Sequence, residues 1–125
     1  MGCGIACAAS LAGLSYREMR DLFTDGEIKD KTVGFYNSDF VEALEKLGIK
    51  AVGCSAEEWE NKILKPGTIV FIKRSRMYPA GHFLLKTTLG WMDPWKTGTT
   101  IKNAKAGYRE NLPGQIDWVI ETTKN

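Results

Sequence analysis

Apolar positions change their period near residue 48. Before it they recur at helical spacing: the small-residue stretch Cys3-Gly4-Ile5-Ala6-Cys7-Ala8-Ala9 predicts a first helix that begins near Cys3 and fades at Gly13. Ser15 with Glu18 three residues later forms a capping box, which predicts a second helix from Tyr16 through Arg17, Met19, Leu22 and Phe23. The segment 24–34 is polar and charged and reads as a loop. Asn37-Ser38 caps a third helix whose Phe40, Val41, Leu44 and Leu47 share one apolar face, and Gly48 stops it. From there the grammar is that of strands. Five segments qualify, namely 49–54, 68–73, 82–88, 90–93 and 116–122, with Ser55 and Glu58 capping a short helical turn around Trp59 and Pro66-Gly67 marking a turn. Helices first and strands afterwards predict an α+β domain, helical over about 1–48 and sheet over about 49–125. The 125 residues carry no internal repeat or linker, and they are expected to form one domain.

Composition narrows the functional classes. Seventeen basic residues against fifteen acidic ones give a net charge of +2, and no Lys/Arg run interleaved with aromatics points to nucleic acid. No apolar stretch approaches the ~20 residues of a membrane span. The apolar start lacks the basic segment of a signal peptide and contains two cysteines. Three cysteines, Cys3, Cys7 and Cys54, are too few and too unevenly spaced for a disulfide framework, which favours a reducing, cytoplasmic setting.

Candidate chemistry concentrates in three residues. Cys3 opens a helix, where the macrodipole and a partnering histidine lower a thiol's pKa from ~8.5 toward ~4–7. Cys7, one turn further, reads as a small core residue. The flanking glycines would let a substrate or another backbone approach closely, and the Cys3 amide could face a developing oxyanion. The bland alternative is that Cys3 is only a terminal residue. The single histidine, His82, leads a strand after Gly81, which would give access to it; a lone histidine there is otherwise an ordinary structural residue. Asp93-Pro94 follows and would otherwise read as a strand-ending turn. A hairpin turning about Thr87-Thr88 would set His82 and Asp93 directly opposite, with Cβ atoms about 4.5–5.5 Å apart; a later turn, encouraged by Gly90, would make the contact diagonal or water-mediated. Nucleophile, base and orienting acid in this order suggest a cysteine-nucleophile enzyme.

The segments Met1 to Tyr16, Lys65-Pro66-Gly67-Thr68-Ile69-Val70, Gly81-His82-Phe83-Leu84-Leu85 and Met92-Asp93-Pro94 together resemble the papain-like peptidase domain that trims double-glycine leader peptides in bacterial bacteriocin exporters. The resemblance spans nearly the whole chain. It implies the papain-like cysteine proteinase fold, with N-terminal helices carrying the cysteine packed on a twisted antiparallel sheet that carries histidine and aspartate. It implies Cys3 as nucleophile, His82 as general base and acid, Asp93 as the group orienting the imidazole, a peptide or protein substrate, and no cofactor. Three departures stand beside it. The family's oxyanion-hole glutamine precedes the cysteine, whereas the chain given starts two residues before Cys3 and its one glutamine is Gln115. The interval from His82 to Asp93 is shorter than is usual in the family. A phosphate loop and a membrane span are missing, so a stand-alone domain is expected rather than an exporter. The same fold also accommodates a non-catalytic peptide-binding relative, and the same residue order serves transglutaminase-like acyl transfer.

Other motifs are weaker. Met1-Gly2-Cys3 suggests acylation, but Ala6 stands where the pattern needs Ser or Thr. Cys3, Cys7, Cys54 and His82 are poorly spaced for zinc. Trp91 and Trp95 read as cover for the sheet end or as walls of a peptide cleft.

Overall fold

The computed structural model describes residues 3–23, 37–55, 57, 65–79, 81–97 and 105–122. Among these residues three helices come first: α1 (Cys3–Ala12), α2 (Tyr16–Arg20) and α3 (Asn37–Glu45). Six strands follow: β1 (Ala51–Ser55), β2 (Ile69–Ile72), β3 (His82–Thr87), β4 (Gly90–Thr97), β5 (Lys105–Arg109) and β6 (Ile116–Thr122). They form one antiparallel sheet in the order β1-β6-β2-β3-β4-β5, so the last strand of the chain is inserted between the first two.

The helical starts and stops obey local rules. Ser15 Oγ accepts from the Glu18 amide at 3.1 Å while Glu18 Oε1 accepts from the Ser15 amide at 3.0 Å, so two otherwise orphaned donors at the start of α2 are satisfied reciprocally. This α-helix ends at Arg20 rather than Phe23. Beyond it the bonds tighten to a three-residue span, from Leu22 to Met19 and from Phe23 to Arg20, and these still bring Phe23 into the core. Helix α3 already includes Asn37, slightly earlier than expected, and ends before Gly48, whose φ of 76° reverses the chain. Of its expected apolar face, Phe40 and Leu44 are buried but Leu47 is exposed, because the helix has stopped at Glu45. The loop over 24–34 and the helical turn around Trp59 lie outside the described residues.

Both faces of the sheet are apolar at its centre, since alternate side chains of β2, β3 and β6 point opposite ways. On the helical side, Ile69, Leu85, Met92 and Ile120 meet Ile5, Cys7, Ala8, Met19, Phe40 and Leu44. On the other side, Val70, Ile72, Leu84, Trp91, Val119 and Cys54 form a second cluster, against which Tyr78, Leu112 and Ile116 pack. Phe40 joins the helical layer to the sheet, with Phe23 edge-on at 5.1 Å and Phe83 tilted at 4.9 Å between ring centroids.

Two strands depart from expectation. β4 runs on through Pro94 to Thr97, because the register with β5 shifts between Asp93 and Thr97 and the irregularity accommodates a residue that has no N–H to give the ladder. β5, with the sequence Lys-Ala-Gly-Tyr-Arg, has no apolar run to announce it and forms the sheet edge next to β4.

Candidate active site

Helix α1 starts at Cys3, the position expected for a nucleophile; the side chain of Cys3 lies outside the described residues. One residue on, Gly4 fits tightly. A Cβ there would overlap the ring of Phe40 and stand 3.1 Å from that of Phe83. The glycine thus serves packing of the helix start against the sheet rather than approach of a substrate. Because Phe83 follows His82, the beginnings of α1 and of β3 lie at the same end of the domain.

His82 is the first residue of β3, and Gly81 before it has φ of 81°. A side chain at Gly81 would overlap Phe71 and come within 2.9 Å of the Ile72 carbonyl oxygen, so this glycine is required by backbone conformation and close packing, not to open access as its place before the histidine suggested. Alternation sends Phe83 to the helical side and His82 to the side of Leu84. Asp93, next to the helix-facing Met92, shares that second face.

The hairpin register is Leu85 opposite Met92 and Thr87 opposite Gly90, which places the turn at Thr88-Leu89. Thr87 Oγ1 accepts from the Leu89 amide at 3.1 Å and donates to the Gly90 carbonyl at 2.8 Å, closing that turn. A turn at Thr87-Thr88, which would set His82 directly opposite Asp93, is therefore not formed. Continuing the register puts Asp93 across from Leu84, and the contact to His82 is diagonal. It is nonetheless direct: His82 Nε2 and Asp93 Oδ1 are 2.6 Å apart, with side chains 1% and 0% exposed. An ionised carboxylate only accepts, so Nε2 carries the proton of this bond and Nδ1 is the nitrogen that can exchange a proton with a reacting group.

Two further residues complete the arrangement, neither of them among the sequence candidates. Arg109, the last residue of β5, donates from Nε to Asp93 Oδ2 at 2.7 Å. Its Nη2 donates to the phenol oxygen of Tyr78 at 3.4 Å. The Tyr78 ring lies flat on the imidazole, with centroids 4.2 Å apart and planes 3° from parallel. Tyr78 is held in turn by its backbone, which exchanges hydrogen bonds with Ser75, while its carbonyl also accepts from the Gly81 amide. The bond to Asp93 is the largest influence on Arg109 and raises its pKa further; burial is the largest on Tyr78 and, with the negative charge of Asp93, holds the phenol above its ordinary value. A local signal for the tyrosine existed in the Ser75-to-Tyr78 turn. For Arg109 there was none, because a single arginine in a polar stretch looks like any exposed one.

The remaining candidates fall elsewhere. Cys7 is in the helical-side cluster and Cys54 in the opposite one, so the sheet separates them. No group of three or more His, Cys, Asp or Glu suited to a metal ion occurs among the described residues. Trp91 is buried in the second cluster, with the Lys86 ammonium 5.1 Å from the centroid of its ring, and thus forms core rather than cleft. The side chain of Trp95 lies outside the described residues. Among the described residues no helix is long and apolar enough to cross a membrane.

No family model matches the sequence, and neither does any curated protein. Among solved structures, the fold matches the peptidase domain of Streptococcus ComA, a bi-functional ABC transporter involved in a quorum-sensing pathway. The TM-score is 0.57 at 18% sequence identity, over 99% of this chain and 92% of that one. The chain therefore has the α+β fold of that peptidase domain, helices against a six-stranded antiparallel sheet.

Proposed function

We propose that this chain is a cysteine peptidase domain that cleaves a peptide bond through an acyl-enzyme, with Cys3 as nucleophile, His82 as base and acid, and Asp93 orienting the imidazole. The observation that carries the reading is the buried 2.6 Å bond between His82 Nε2 and Asp93 Oδ1, at the end of the sheet where α1 begins. A buried carboxylate fixes the tautomer and orientation that a proton-transferring histidine uses, which a merely structural histidine does not require.

The chemistry runs in two halves. The thiol proton of Cys3 passes to Nδ1 of His82, and the sulfur attacks the carbonyl carbon, helped by the N-terminal dipole of the ten-residue α1. As the tetrahedral adduct collapses, the C–N bond breaks, the imidazolium protonates the departing amine, and a thioester remains. Water then attacks the thioester with His82 again as base, releasing the acid and restoring the thiol. The resemblance to leader-trimming peptidases suggests a substrate cleaved after two glycines, whose lack of side chains lets the substrate backbone approach closely.

Labelling and turnover test this together. Iodoacetamide at pH 6 is expected to alkylate Cys3 well ahead of Cys7 and Cys54, which are buried in the two cores. Peptides ending their leader in two glycines are expected to be cleaved, and Cys3→Ala or His82→Ala to lower the rate by about a thousandfold or more. Equal labelling of the three cysteines would defeat the nucleophile assignment. Binding without cleavage would make the domain a peptide-binding relative, and transfer of the acyl group to an added amine in preference to water would make it an acyl transferase.

A further inference from the structure

Asp93 makes two demands that His82 alone does not meet. A carboxylate with no exposure is costly unless its charge is compensated, and a carboxylate whose one cationic partner is an imidazole holds that imidazole in its protonated form. A base locked as imidazolium cannot accept a proton near neutral pH. In this structure each oxygen has its own partner, Oδ1 the imidazole and Oδ2 the guanidinium.

We infer that Arg109 is a positioning residue that takes up the charge of Asp93, so that His82 is oriented by the carboxylate yet remains free to gain and lose a proton near neutral pH, and that Tyr78 locks this arrangement by stacking on the imidazole and receiving the second arginine hydrogen bond. The four side chains form a closed ring: His82 to Asp93 to Arg109 to Tyr78, which lies on His82. They come from β3, β4, β5 and the β2–β3 connection, so one ring fastens four consecutive pieces of the sheet's end. Among the described residues, the partners of the imidazole and its carboxylate come from several elements. β4 supplies Asp93, β5 supplies Arg109, the β2–β3 connection supplies Tyr78, and Ile72 of β2, opposite His82 in register, carries no charge. Lys96 of β4 is exposed and lies with its aliphatic stem over Gly107. Arg109 itself keeps 26% exposure at its side chain, which lets its charge remain solvated while its Nε edge is committed to Asp93.

The functional consequence rests on the peptidase reading, but the electrostatic one does not, and the experiment separates them. The chain has one histidine, so the ring protons of His82 give an uncrowded NMR titration. In Arg109→Gln the buried carboxylate loses the guanidinium and the imidazolium is left to compensate it, so the His82 midpoint is expected to rise by more than about one pH unit. Arg109→Lys keeps the charge without the fork and is expected to stay within about half a unit of the parent, and it decides the matter if Arg109→Gln does not fold. Tyr78→Phe, which retains the stack, is expected to titrate close to the parent. An unchanged or lowered midpoint in folded Arg109→Gln, or a rise above one unit in folded Arg109→Lys, would each overturn the inference while leaving the peptidase reading intact. If the midpoints move as expected, the alkaline limb of Cys3 alkylation should move upward with them. A Cys3 that alkylates like an ordinary thiol at every pH would sink the peptidase reading and leave the charge coupling standing.

Discussion

On the helical side of the sheet, the buried groups that meet are the aliphatic and aromatic side chains of Ile5, Met19, Phe40, Leu44, Ile69 and Ile120; at the β3–β4–β5 end, an imidazole and a carboxylate are buried just as fully, joined by a guanidinium and a phenol. The two regions are stable for different reasons. Apolar burial is non-directional and sums over area, so the helical side tolerates a change of shape at a cost that grows with the cavity left behind. The polar end is directional and depends on completeness. Every member satisfies another, and removing one strands a charge or a donor away from water. Regions of the second kind repay their cost in orientation, which is what a proton-transferring pair needs.

The contrast can be broken most directly at its polar end. Asp93→Asn keeps the shape of the site but removes the charge and can reverse the hydrogen bond to His82, so peptide turnover should fall by about 10²–10⁴-fold. Urea unfolding of the same variant should show a far smaller proportional effect on stability. If turnover survives while unfolding shifts strongly, Asp93 belongs to the scaffold and the two regions are not functionally distinct. Phe40→Ala probes the other side. It empties the position where α3, Phe23 and Phe83 meet, and is expected to cost about 3–5 kcal/mol in urea unfolding, with turnover per folded molecule within tenfold of the parent. A much larger loss of turnover would mean that Phe83 transmits the core's packing to His82. The smallest effect belongs to the α2 cap. Ser15→Ala should cost about 1 kcal/mol at neutral pH, read from the unfolding midpoint. The Ser15 amide bond holds the Glu18 carboxylate below its ordinary pKa, so its contribution is present above the usual glutamate range and disappears as the pH falls through the lowered value. The deficit of Glu18→Gln, which removes the carboxylate charge from that bond, should therefore shrink in acid; a deficit constant across that range would leave the box without an electrostatic part.

Much of the helical half was legible because its rules are local. The Ser15 and Glu18 pair, the apolar spacing of Phe40 and Leu44 and the reversal at Gly48 act over three or four residues, and the sequence alone determined them. The order of strands up to Asp93 was legible for the same reason, as were a cysteine at a helix start and a histidine at a strand start. Which residues meet was not. A shift of one position in the hairpin turn decides whether His82 and Asp93 are opposite or diagonal, and the choice depends on how Thr87 caps Thr88-Leu89. β5 has the composition of an exposed loop and becomes a strand because β4 offers it an unpaired edge. Arg109, sixteen residues beyond Asp93, has no local mark of its partner; long-range pairing alone brings its guanidinium against a carboxylate that the sheet has already removed from water.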